Sequence, residues 1–323
     1  MADLEPDLEG FSGVVSARRG DEVLGEWTAG MADRTWSVPN APDTRFGLAS
    51  GTKTFTAITV LSLVGDGVLS LDTTAREVLG ADLPLIADDV TVDHLLTHRS
   101  GIGDYLDEEV DALAPMTVPV QQLDSTPAYL AVLDGFPTKF RAGERFSYCN
   151  GAFVVLALIA ERVSGTPFPE LVRQRVFVPA GMTASSMPRS DALPPSTATG
   201  YKDDGRTNVF ELPVQGSGDG GAHSTALDLH RFWLALTGGR MLSARLVAAA
   251  TAPVTPDTGD GVGYGRGIWL DEGDFVLSGG DHGVTAVSRH DPRTGTTVTG
   301  LANIEAPTFG RVKSLMAALR EPR

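Results

Sequence analysis

Short β-prone runs crowd the C-terminal end of the chain, at residues 267–270, 275–278, 285–290 and 296–302. Only Gly- and Asp-rich turns separate them. Connections that short cannot carry a strand back to a parallel neighbour, so they specify an antiparallel sheet. Two further runs, 11–18 and 22–28, open the chain around a hairpin turn at Arg19-Gly20-Asp21. Strands at both termini with helices between predict one sheet assembled from the two ends, with a mostly helical lobe inserted. On this reading residues 1–74 and 225–323 form the sheet domain and residues 75–224 the helical one. A ligand cleft opens between them. The fold class is α/β in the α+β sense, an antiparallel β-sheet flanked by helices.

The helical section follows the 3.6-residue period. Phe55, Ile58, Leu61 and Val64 share one face of a helix over 52–64, which Gly65-Asp66-Gly67 ends. Further helices are read at 92–98, 127–133, 151–163, 169–176, 224–236, 243–250 and 306–319. Residues 187–221, dense in Pro, Ser, Asp and Gly, read as loop.

Composition removes several classes of function. Lys and Arg number 26 against 41 Asp and Glu, a formal charge of −15, which disfavours nucleic acid and anionic membrane as partners. Cys149 is the single cysteine, so neither an internal disulfide nor a Cys-based zinc site is available. The opening Met-Ala-Asp-Leu-Glu-Pro-Asp has no basic segment leading into an apolar one, and no apolar run approaches the roughly 18 residues of a membrane span. The expectation is a soluble, cytoplasmic protein, with a processed secreted form as the alternative. Oligomeric state is not set by these features.

Three short segments carry chemistry. Ser50-Gly51-Thr52-Lys53 places an amine one helical turn from a hydroxyl at a strand-to-helix junction. An amine whose pKa is lowered by burial or a nearby cation can draw the hydroxyl proton, and a helix N-terminus offers free N–H donors to an oxyanion. The pairing stands out because the chain has only four lysines, Lys53, Lys139, Lys202 and Lys313. Tyr148-Cys149-Asn150 precedes the apolar helix at 151–163. A phenol beside an ammonium can relay a proton from nucleophile to leaving group, and an amide can orient the amine and donate to a substrate carbonyl. Leu277-Ser278-Gly279-Gly280 lies on a C-terminal strand, where a backbone N–H can complete an oxyanion hole and glycine admits close approach.

These segments, in this order, resemble the serine β-lactamase and penicillin-binding-protein superfamily, in its class C-like branch of esterases, D-amino-acid amidases and D-Ala-D-Ala carboxypeptidases. The resemblance extends to Leu95-Leu96-Thr97-His98-Arg99-Ser100-Gly101-Ile102, Gly143-Glu144-Arg145-Phe146-Ser147 and Gly220-Gly221 followed by Ser224-Thr225-Ala226. It implies Ser50 as acylated nucleophile, Lys53 as its partner and Tyr148 as general base. Asn150 would hold substrate and Lys53, with Ser278 and Gly279 beside the substrate and the N–H groups of Ser50 and Gly280 as oxyanion hole. It implies no metal and no organic cofactor. The third motif usually opens with a lysine or histidine; here that position is Leu277, which supplies neither charge nor hydrogen bond.

The function expected is therefore hydrolysis of an ester or amide through an acyl-enzyme, on a small-molecule or short-peptide substrate with no essential carboxylate. Carboxypeptidase or β-lactamase activity is the alternative, and a non-catalytic penicillin-binding-like module a second. Other groups read as structural: His98 as stabilising the Ser100-Gly101 turn in preference to a metal pair with His94, His282 as a turn residue, Cys149 as a small buried side chain. Trp36, Trp233 and Trp269 read as core or pocket wall.

Overall fold

A computed structural model describes residues 6–110, 117–259 and 261–320; the acidic opening at residues 1–5 lies outside them. The strands are β1 (Gly13–Arg19), β2 (Glu22–Ala29), β3 (Met31–Asp33), β4 (Val38–Pro39), β5 (Phe46–Gly47), β6 (His223–Ser224), β7 (Gly263–Tyr264), β8 (Trp269–Asp271), β9 (Asp274–Asp281), β10 (Val284–Asp291) and β11 (Thr296–Ala302). The α-helices are α1 (Thr52–Gly65), α2 (Ala75–Leu79), α3 (Val92–Leu96), α4 (Leu130–Leu133), α5 (Asn150–Ser164), α6 (Phe168–Val172), α7 (Val178–Ala180), α8 (Ala226–Thr237), α9 (Ala244–Thr251) and α10 (Thr308–Arg320).

Seven strands form one antiparallel sheet in the order β2-β1-β11-β10-β9-β8-β7, so the two chain ends meet at the β1–β11 seam. Val15 pairs with Trp27 on one side and Gly300 on the other. Arg19 remains inside β1, and the hairpin turns on Gly20, whose φ of +55° suits a residue without Cβ. The whole sheet comes from residues before 30 and after 262, as the terminal strand runs specify.

Apolar residues on one sheet face pack with α1, α5 and α8 into the main core. The opposite face, with Val15, Val276, Val287 and Val298, is covered by Val312, Leu315 and Met316 of α10. Because α1 runs through the main core, every residue from Thr52 to Leu63 is buried. The one-faced pattern read from the sequence is thus too modest, and the polar positions are satisfied internally: Thr54 Oγ1 donates to Gly267 O (2.8 Å), Thr56 Oγ1 to Gly218 O (2.6 Å) and Thr59 Oγ1 to Phe55 O (2.8 Å). Phe55 packs edge-on against Phe177 and Phe232, at 5.3 and 5.1 Å between centroids. Each such fully buried side chain contributes about 1.5–3 kcal/mol. α5 is buried from Asn150 to Ala160 and ends at Gly165, in the left-handed conformation. Among the described residues no single helix is long and apolar enough to cross a membrane.

Candidate active site

Ser50 sits in a single 3-10 turn, Ala49–Gly51, that opens directly into α1. Ala49 carries a φ of +44°, uncommon for a residue with a side chain, and the turn is fixed by Leu48 N–H donating to Ala222 O (2.9 Å) and Gly51 N–H to Leu48 O (2.8 Å). Across from it, a Cβ on Gly279 would lie 2.1 Å from Leu48 O and 2.8 Å from Ser50 N, so β9 reaches the Ser50 turn only with glycine there. Next along, Gly280 faces open space. The β8 partner ends opposite Val276, and among the described residues no strand pairs with the following stretch of β9 on that side.

Lys53 is buried, and its three N–H bonds each find an acceptor: Ser50 Oγ (2.8 Å), Asn150 Oδ1 (2.7 Å) and the backbone oxygen of Asp219 (3.1 Å). Its nitrogen lies 5.0 Å from the centroid of the Tyr148 ring. Ser50, Lys53, Tyr148 and Asn150 are thus brought together as the motif order suggests. The protonation differs from the expectation. Burial pushes the Lys53 pKa down, but Tyr148, Asp219 and Glu108 outweigh it and hold the pKa above its ordinary value. An ammonium with every proton donated is a poor base toward Ser50.

Asn150 opens α5 with both ends of its amide engaged. Oδ1 accepts from Lys53, while Nδ2 donates to Leu106 O (2.8 Å) and Glu108 Oε1 (3.1 Å). Donation to a substrate carbonyl therefore requires exchange for the exposed Glu108 carboxylate. Leu277 is fully buried, and its side chain packs under Gly51, placing an apolar contact beneath the Ser50 turn. Ser278 is half-buried and points to the strand's other face.

Several site neighbours escaped the sequence reading. Asp219, in a glycine-rich segment, has a buried carboxylate that accepts from the Tyr105 hydroxyl, and burial holds its pKa above the usual range. Its signal was a lone acid among Gly216, Gly218, Gly220 and Gly221. Asp104 caps α5 from a distant loop, accepting from Asn150 N (2.6 Å), Gly151 N (2.8 Å) and Leu106 N (3.3 Å). Burial outweighs these donors and pushes its pKa up to about 6.

A carboxyl whose folded pKa lies above its unfolded value near 4 favours the native state most at low pH. That contribution falls away as pH rises from about 4 to about 6. Urea unfolding of Asp104→Asn and wild type across this window is expected to show that the difference in stability shifts in the variant's favour as pH rises. A constant difference would remove the titration from Asp104.

The histidines resolve differently. α3 ends at Leu96, and His98 follows with a φ of +53°, so it does not share a helical face with His94. His94 Nδ1 instead accepts from Thr91 N–H as part of a capping box. His98 reaches residues 147–149 in place of its own turn. His282 is exposed beside Glu305, at 3.1 Å. Cys149 is buried, and burial followed by Asp104 pushes its thiol pKa well up. Trp233 is core, Trp269 stacks on Tyr148 with ring centroids 6.1 Å apart, and Trp36 is 79% exposed, contrary to the core-or-wall reading.

The antiparallel sheet with its flanking helices defines a β-lactamase/transpeptidase-like fold. The Beta-lactamase family model matches residues 2–320, and the chain belongs to that family of serine hydrolases. The crystal structure of the penicillin binding protein from Bacillus halodurans is similar at a TM-score of 0.89 and 36% identity, over 96% of this chain and 97% of that one. The D-aminopeptidase of Brucella anthropi is 29% identical over 82% of this chain and 50% of its own length. Esterase EstB of Burkholderia gladioli is 34% identical over 56% of this chain and 48% of its own. The chain thus spans about half the length of these two curated relatives.

Proposed function

We propose that the protein hydrolyses esters or amides through an acyl-enzyme on Ser50, acting on small-molecule or short-peptide substrates that need no carboxylate. The observation that carries the reading is the saturated Lys53 ammonium, 2.8 Å from Ser50 Oγ and beside the Tyr148 ring. Lys53 orients the Ser50 oxygen and stabilises negative charge on it. The proton passes from Ser50 to the Tyr148 oxygen while the Tyr148 proton passes to the leaving group. The Ser50 oxygen attacks the carbonyl carbon, and the N–H groups of Ser50 and Gly280 receive the resulting oxyanion. Water then takes the place of the leaving group, and the relay runs back to free Ser50.

The electrostatics support the choice of substrate. The buried Asp219 and the exposed Glu108 both act on Lys53, and Asp281 places a further, exposed carboxyl at the end of β9, next to Gly280. Leu277 brings no positive charge to this side of the cleft. A substrate carboxylate would meet these acids, whereas a neutral ester or an amine-bearing amide would not. The esterase and D-aminopeptidase names of relatives are in keeping with both substrate types.

The test is covalent labelling with a fluorophosphonate, followed by peptide mass analysis and turnover of a short-chain chromogenic ester, a D-amino-acid amide and a chromogenic cephalosporin. The label should fall on Ser50 and vanish in Ser50→Ala, with the ester or amide turned over faster than the cephalosporin. Folded protein that takes no label sinks the enzyme reading, and preferred turnover of the cephalosporin sinks the substrate class.

A further inference from the structure

We propose that His98 is a positioning residue that sets the Tyr148 phenol for proton transfer, an inference that rests on the reading of Tyr148 as the proton relay. His98 holds the tyrosine from three directions. Its backbone oxygen accepts from Ser147 N–H (2.9 Å), and its Nδ1 accepts from Cys149 N–H (3.0 Å), so both residues flanking Tyr148 are tied to it. Its ring lies against the Tyr148 ring at 4.4 Å between centroids, tilted by 34°. Phe153 and Tyr264, at 4.9 and 5.0 Å, and the more distant Phe146, at 5.7 Å, complete an aromatic surround that fixes the imidazole.

The chemistry of this grip excludes other roles. Because Nδ1 accepts, the proton of the neutral ring is on Nε2, which is buried and has no hydrogen-bond partner among the described residues. A ring with one nitrogen committed to the backbone and the other facing no acceptor cannot carry a proton between Ser50 and a substrate. Burial, and after it the Lys53 charge, push its pKa well below the ordinary histidine value, so it stays neutral and keeps accepting from Cys149.

The position makes three demands: an in-plane acceptor for the Cys149 N–H, a flat face against Tyr148, and tolerance of a φ of +53°. Histidine meets all three. Asparagine keeps the acceptor and tolerates the left-handed backbone. Phenylalanine keeps only the flat face, and nothing then holds residue 149. A misplaced phenol slows the chemistry without loosening substrate binding, since displacements near 1 Å can cost about 100-fold in rate.

The experiment is a mutant cycle on a chromogenic ester, comparing wild type, His98→Asn, His98→Phe, Tyr148→Phe and His98→Phe/Tyr148→Phe, each checked for cooperative thermal unfolding. His98→Phe is expected to lose about 30- to 100-fold in kcat with KM within about threefold. His98→Asn should stay within about tenfold of wild type, since it keeps the acceptor. The double variant should be no slower than Tyr148→Phe alone, because with the hydroxyl gone its placement no longer matters. A purely structural role predicts instead that the two losses multiply. The inference is overturned if they do, if folded His98→Phe keeps wild-type kcat, or if its loss lies in KM alone. Should His98→Phe not fold, His98→Asn decides: kcat within about tenfold at unchanged KM supports the inference, and a larger fall overturns it. Wild-type turnover in Tyr148→Phe would instead overturn the relay reading itself, whatever the His98 variants do.

Discussion

Lys53→Met is expected to lower kcat for ester hydrolysis by roughly 10³-fold while leaving a folded protein with KM little changed. Methionine matches the length and apolar stem of lysine but donates no hydrogen bond. Three acceptors lose their partner together: Ser50 Oγ, Asn150 Oδ1 and the Asp219 backbone oxygen. The Ser50 oxygen is then free to rotate away from the carbonyl, and charge developing on it has no ammonium beside it to offset it. Uncompensated polar groups at the junction of α1 and α5 should also cost about 1–3 kcal/mol each in stability. The measurement is steady-state turnover beside urea unfolding and fluorophosphonate labelling of the same samples. A folded Lys53→Met retaining more than about a tenth of wild-type kcat would show that Ser50 is activated without the amine, because loss of one donor that stabilises developing charge costs about 10²-fold or more.

The amine and hydroxyl of this pair were legible in the sequence because they lie one helical turn apart, where local geometry alone makes them neighbours. Tyr148 and Asn150 were legible only as the second of three ordered motifs. What the sequence withheld was the state of the lysine, which depends on long-range contacts: Asp219 and Asn150 are 166 and 97 residues away in the chain. His98 was read against its own turn because a histidine in a loop gives no sign of which distant backbone it meets.

The fold was legible for the same reason as the first motif. The paired strands and longer helices show their period within a few residues, and their observed bounds fall within about two residues of the expected ones for β1, β2, β10, β11, α1, α5 and α9. Elements such as α2, the β3–β4 hairpin and β7 are too short to display a period, and all three went unread. Leu277 was read as a lost charge, but a single letter could not say that the side chain turns inward to support the Ser50 turn.

The second large effect lies at the other end of β9. Asp274, at its start, is roughly 17 Å from Gly279 along the strand, and there Arg289 of β10 is buried between carboxylates. Its Nε donates to Asp274, its Nη1 to Asp271, and its Nη2 to the Asp271 backbone oxygen (2.9 Å). Arg320 of α10 pairs with Asp274 and, at 3.3 Å, with Asp291; Lys313 pairs with Asp271 at 3.0 Å. Asp271 and Asp291 are held below the usual range, against burial, by these cations, Asp291 at about 2 through Arg293 first, whereas burial still holds Asp274 above it.

Removing the central guanidinium leaves buried carboxylates short of partners, and Arg289→Met is expected to destabilise the protein by about 3–5 kcal/mol in urea unfolding. Because a like-sized apolar replacement of a whole buried ion pair is often near neutral, Arg289→Met/Asp274→Leu should recover more than half of that loss. Lys313 remains for Asp271, and Asp291 remains for Arg320. Native turnover should be unchanged in both variants, since neither touches the Ser50 turn. If the double variant is no more stable than the single one, lost packing rather than stranded charge is what Arg289 prevents.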